Sequence, residues 1–213
     1  MMEDLGTFAD FYRNKGNTWS TKPDIAIVPG SFKPPHKGHY DMVKQYSDLA
    51  YNVHVLISAP SAKSQRTTSA GTVITPEMSK QIFDLYVQNL DNVTVEISDI
   101  PSPVGAAYAM IEALGTSPEP IPNSVGKKIA LGASKKDGDW TRWSGAKEWA
   151  EKKGLNVEVY DPKLTAVDVS NKPDGTPYSA SSIRSNISNP ELFIDDIPEH
   201  VSPEQVINIL SGV

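Results

Sequence analysis

The chain has 213 residues, 38% of them hydrophobic, a net charge of −6 and no cysteine. That length suits one α/β domain with a real core, and two full domains would be cramped. Without cysteine, disulfides and thiolate metal sites are excluded and a reducing, cytoplasmic setting is expected; the acidic balance makes nucleic acid an unlikely partner, since such binders normally carry a basic stripe.

No apolar run approaches the ~20 residues of a membrane helix, so no membrane partner is expected. The first stretch, "MMEDLGTFADFYRNKGN", lacks the basic and apolar regions of a signal peptide. Residues 4–13 can form a short amphipathic helix with Leu5, Phe8, Phe11 and Tyr12 on one side. We read residues 1–22 as an extension and 23–213 as the domain. A strap packed on the domain and a docking segment for a larger assembly both stay open for the extension.

From residue 25 the pattern alternates strand and helix. Ile25–Val28 is a short apolar strand, and residues 37–50 carry helical periodicity through Met42, Val43, Tyr46, Leu49 and Ala50. "VHVLIS" (53–58) is a second strand. The helix after its polar loop is announced by Thr75 as cap, Pro76 at the first position and Glu77 near the positive dipole end. "VTVEI" (93–97) is a third strand and 104–114 a helix; "KIALGAS" (128–134) is a fourth strand with its exit loop, 141–153 a helix, and "NVEVY" (156–160) a fifth strand. A long loop turns at "KPDG", a helix starts near "SASSIR", and the last helix opens on a capping box of Ser202 and Gln205.

Strands alternating with helices imply an α/β, Rossmann-like open parallel sheet of five strands with helices on both faces. In such sheets ligands sit beyond the carboxyl ends of the strands, at the switch in strand order. The loops after strands one, two and four are therefore expected to meet at a site.

The loop after strand one reads "GSFKPPHKGH", residues 30–39. Gly30 suits a sharp turn, and Pro34 and Pro35 stiffen the approach to the helix. His36 and His39, three apart, share one face of a first helical turn, and Gly38 between them removes a side chain where a ligand could approach the backbone. Two imidazoles and the donors of a helix start suit a phosphate. Two surface histidines beside a turn, or a metal site lacking a nearby acidic ligand, stay open at this point.

The stretch resembles the HxGH signature of the nucleotidylyltransferase superfamily, the cytidylyltransferase-like proteins. Gly30, Phe32, Pro34, His36, Gly38 and His39 fit the pattern G-x-F-x-P-x-H-x-G-H, nearest to nicotinamide-mononucleotide adenylyltransferase-like members. A second likeness lies downstream, where "YSASSIR" (178–184) is similar to the family's I-S-S-T-x-I-R. Ser179, Ile183 and Arg184 match it; Tyr178, Ala180 and Ser181 stand for isoleucine, serine and threonine.

The resemblance implies transfer of a nucleotidyl group from a nucleoside triphosphate, ATP favoured over CTP, to a small phosphorylated acceptor, with pyrophosphate released. It implies His36, His39 and Arg184 as catalytic residues. It also implies Gly30, Ser31, Phe32, Gly38, Gly132, Ser134, Asp137, Ser179, Ser181 and Ser182 around the nucleotide. Lys33, where many relatives carry Asp or Gln, and Arg66, in the long polar loop after strand two, are read as candidates for the acceptor phosphate, with solvated surface residues as the open alternative. Mg2+ is expected to arrive with the triphosphate, without a dedicated protein ligand. Trp143 and Trp140 are read as packing residues. A non-catalytic assembly protein on the same fold, and a homo-oligomer, remain open alternatives.

Overall fold

The computed structural model describes residues 22–61, 63, 65–124 and 126–212. The helix expected over 4–13, and any docking through it, lie outside the described residues. Five strands form one all-parallel sheet: β1 (Ile25–Gly30), β2 (Asn52–Ile57), β3 (Val93–Ile97), β4 (Lys128–Leu131) and β5 (Glu158–Val159), in the order β3-β2-β1-β4-β5. β1 is central. The register sets Ile25 against Asn52 on one side and Ile129 on the other.

The continuous apolar run of β1 follows from burial on both faces. Ala26 and Val28 point into one core with Val43, Tyr46, Phe83 and Ile183, while Ile25 and Ile27 point into the other with Ile111, Ile129 and Trp143. The first core is covered by α1 (Lys37–Leu49), α2 (Pro76–Val87) and the late elements α6 (Ala180–Ser185) and α7 (Pro203–Ser211). The second lies under α3 (Pro103–Thr116) and α4 (Ala146–Lys152).

The caps are those the sequence announces. Thr75 accepts from Met78 N–H at 3.2 Å, and Ser202 and Gln205 exchange bonds across the start of α7. Among the described residues no helix is long and apolar enough to cross a membrane.

Several elements differ from expectation, among them two short 3-10 helices, Pro190–Leu192 and Ile194–Asp196, that were not foreseen. The helix expected over 141–153 is split into a 3-10 helix, Lys136–Trp143, and α4, with Ser144 and Gly145 between them. Within the 3-10 segment Asp139 pairs with Arg142 at 3.4 Å, an i, i+3 spacing that such a turn brings onto one line. Strand five shrinks to two residues because Asn156 N–H bonds to Gly115 on α3 instead of to β4. An unforeseen turn of helix, α5 (Pro162–Thr165), is capped by Asp161.

Candidate active site

The first loop is shaped by an exchange between Gly30 and Phe32. Phe32 takes a left-handed φ of 44°, folding its ring back over the strand end. A Cβ on Gly30 would lie 2.5 Å from that ring, so only glycine fits. Phe32 is buried, edge-on to Phe83 at 4.8 Å and to His39 at 4.9 Å. The expected nucleotide contact is thus also the floor under His39. Ser31 bonds Ser58 at 3.1 Å, tying the ends of β1 and β2 together.

His36 caps α1 and His39 stands in its first turn, their rings stacked at 3.7 Å. The His36 backbone N–H donates to His39 Nδ1 at 3.2 Å. An Nδ1 that accepts a hydrogen bond leaves the neutral ring's proton on Nε2. Burial first, then the His36 and Arg142 charges, hold the His39 pKa well below the ordinary histidine range. Burial lowers that of His36 to about 4, with Asp196 opposing and Lys172 and Lys136 adding to the shift. Both rings are therefore neutral at pH 7. Nδ1 of His36 is buried without a hydrogen-bond partner among the described residues.

Gly38 is closely packed as well as open to a ligand. A Cβ there would meet the His36 ring at 3.1 Å and the Tyr178 ring at 3.3 Å. That contact brings the start of α6 against the start of α1, although the two lie far apart in sequence.

A cavity of about 540 Å³ opens over these residues at the carboxyl end of the sheet. The loop after β1 gives it Gly30, Ser31, Phe32, His36, Gly38 and His39; the loop after β4 gives Ser134, Lys136, Asp139 and Arg142; the late loop gives Ser170, Asn171 and Tyr178. Asp139 accepts from Ser134 N–H at 3.2 Å and pairs with Arg142, whose guanidinium also donates to the Gly132 carbonyl at 3.2 Å.

Gly132 itself is not a lining residue. A Cβ there would lie 2.8 Å from Val28, so this glycine answers to close packing against β1, and its carbonyl also receives the buried Trp143 indole N–H. Asp137 lies on the 3-10 helix, and its side chain is outside the described residues. Lys136, Asp139, Arg142, Asn171 and Tyr178 were not assigned to the site from sequence. The i, i+3 spacing of Asp139 and Arg142 is the one local signal that could have pointed to that pair.

The loop after β2 does not reach this cavity. It forms a pinned hairpin, with Thr67 bridged to Val73 and Ser69 N–H donating to the Arg184 carbonyl at 2.8 Å. There Lys33, Arg66 and Arg184 gather. Arg184 donates to the Lys33 carbonyl at 2.6 Å and to Ser181 Oγ at 2.7 Å. Burial first, then the Arg66 charge, lowers the pKa of both Lys33 and Arg184. Among the described residues no carboxylate forms an ion pair with Arg66 or Arg184. Lys33 also borders a smaller hollow of about 360 Å³ with Ser61, Gln65 and Thr75.

Arg184 was expected beside the histidines in one cleft. It holds the same loop through the Lys33 carbonyl and does not line the histidine cavity. The three serines are engaged locally: Ser179 Oγ caps α6 through Ser181 and Ser182 N–H, Ser181 holds Arg184, and Ser182 donates to the Leu192 carbonyl.

A five-stranded parallel sheet with its main cavity at the carboxyl end, where the strand order switches, defines a Rossmann-like α/β protein. More narrowly, the chain belongs to the cytidylyltransferase-like family, whose model matches residues 27–186. It is also similar to a phosphopantetheine adenylyltransferase of Leuconostoc mesenteroides subsp. mesenteroides, 32% identical over 89 residues, or 39% of this chain. The matched part spans about half, 51%, of that relative.

Proposed function

We propose that the chain transfers a nucleotidyl group, adenylyl in preference to cytidylyl, from a nucleoside triphosphate to a phosphate-bearing acceptor and releases pyrophosphate. One observation carries this reading: a neutral, stacked histidine pair shares one cavity with Lys136 and Arg142, and a cluster of Lys33, Arg66 and Arg184 gathers at the same loop. Family membership and the adenylyl chemistry in the relative's name support it.

In this reading an acceptor phosphate oxygen attacks the α-phosphorus while the bond to the β-phosphate breaks. The protein's task is to align two anions and stabilise charge as it develops. His39, with its proton on Nε2, donates to the α-phosphate and the leaving oxygen, and His36 supports it by stacking. Lys136 and Arg142 take the donor's phosphates. Lys33 and Arg66 hold the acceptor phosphate from the neighbouring basic cluster. Arg184 braces the β1–α1 loop through the Lys33 carbonyl and Ser181, and its charge joins that of Lys33 and Arg66 in favouring bound phosphate.

Mg2+ would come with the triphosphate, held by phosphates and water; among the described residues no group of three His, Cys, Asp or Glu could hold a metal. The absence of cysteine supports a reducing compartment such as the cytoplasm. The test is calorimetric titration with ATP and CTP, then pyrophosphate release over phosphorylated acceptors, beginning with phosphopantetheine. Binding of neither nucleotide would remove the reading.

A further inference from the structure

The late segment that walls the histidine cavity is tied at two points, eight positions of chain spanning residues 172–179, to one carboxylate. Asp196 Oδ1 accepts from the Ser179 backbone N–H at 2.7 Å, and its Oδ2 pairs with the Lys172 ammonium at 2.7 Å. The Asp196 side chain is 0% exposed and that of Lys172 14%. Between the tethers the chain closes on itself: Lys172 N–H donates to the Thr176 carbonyl and Gly175 N–H to the Lys172 carbonyl. Gly175 takes the left-handed φ of 83° that the turn needs. Asn171, Pro177 and Tyr178, at the edges of this loop, line the cavity.

Capping alone does not account for the carboxylate. Ser179 Oγ already caps α6, and Lys172 lies outside that helix. A buried charge is costly unless it is paired and hydrogen-bonded, and here both oxygens are engaged by the two ends of one loop.

We propose that Asp196 is a positioning residue for the nucleotide cavity, holding the 172–179 loop closed so that Tyr178 stays on Gly38 and Asn171 stays on the wall; the proposal rests on reading that cavity as the nucleotide site. Asp196 touches no reacting group. It acts through the loop.

The test compares the full chain with Asp196→Asn, Lys172→Met and the double variant, by amide hydrogen exchange and by calorimetric titration with ATP. Asp196→Asn keeps an acceptor for Ser179 N–H but leaves the Lys172 ammonium buried without its counter-charge. Exchange should accelerate across 171–182 while β1 and α1 stay protected, and ATP affinity should fall roughly tenfold, a usual size for coupling between packed neighbours. The double variant, with both charges gone, should return toward wild type on both measures.

Unchanged exchange over 171–182, loss spread evenly through the sheet, or unaltered ATP affinity despite faster local exchange would each overturn the proposal. Should Asp196→Asn fail to fold, Lys172→Met makes the same comparison from the other end of the pair. If the wild-type chain binds neither ATP nor CTP, the nucleotide reading falls, and the exchange comparison alone decides the tether; if it binds only CTP, the same affinity comparison is made with CTP.

Discussion

The backbone N–H of His36 donates to Nδ1 of His39, so one residue of the pair sets the tautomer of the other. His39 therefore presents Nε2–H as a fixed donor at the start of α1, over the floor made by Phe32. A preorganised donor aimed at developing charge is worth ~10²–10³ in rate. His39→Ala should lower pyrophosphate release by about that factor with little change in the unfolding midpoint. Turnover within a few-fold of wild type would take His39 out of the chemistry.

The same burial makes the pair a source of acid sensitivity. The folded-state pKa of His36 lies at about 4, against 6.5 for the free group. As pH falls through 6.5 the unfolded chain takes up its proton first, so stability is lost on acidification and is unaffected above that range. At about pH 5 the linkage costs roughly 2 kcal/mol through His36 alone. Urea unfolding at pH 7 and pH 5 should show wild type losing about that much more stability than His36→Asn. Parallel losses in the two proteins would mean that His36 is not held neutral by the fold.

Gly30 and Phe32 make a third case. A methyl at position 30 would sit 2.5 Å from the Phe32 ring, which is itself wedged against Phe83 and His39. Nothing at that spot can give without moving the ring. Overpacking of this kind usually costs 1–3 kcal/mol, and we expect about 2 kcal/mol for Gly30→Ala together with weakened ATP binding. A variant as stable as wild type, with equal affinity, would show that the ring is free to move aside.

The parts of the fold that were legible in sequence are those governed by local period. β1 read as a strand because both its faces are apolar, and α1 read as a helix because Met42, Tyr46 and Leu49 recur on one side. The caps of α2 and α7 were legible because a cap is a matter of adjacent residues. What escaped was set at a distance. Arg142 reaches the cavity only because β4 packs beside β1 and its exit turns as a 3-10 helix. Asp196 acquires its role from Lys172 and Ser179, 24 and 17 positions away. The place of Arg184 depends on a carbonyl 151 residues earlier, which no periodicity reports.

Arg184 then gives the strictest test of the basic cluster. Its guanidinium spans the Lys33 carbonyl and Ser181 Oγ with two nitrogens, while Arg66 adds a second positive charge nearby. Lysine at this position keeps the charge but offers a single ammonium, which cannot brace the β1–α1 loop and α6 together. If the cluster serves a phosphate, Arg184→Lys should weaken triphosphate binding by roughly tenfold, the loss typical of a charge-assisted bond of about 1.5 kcal/mol. Stability should fall by less than that, because the lost bonds are to groups partly open to water. Arg66→Ala should act in the opposite sense on the protein itself, relieving repulsion among Lys33, Arg66 and Arg184, while still lowering affinity for the anion. Paired titrations of ATP and of the acceptor phosphate, with unfolding curves on the same samples, separate these effects. Equal binding of both ligands by Arg184→Lys and wild type would confine Arg184 to bracing the loop and leave the anion site to the histidine cavity alone.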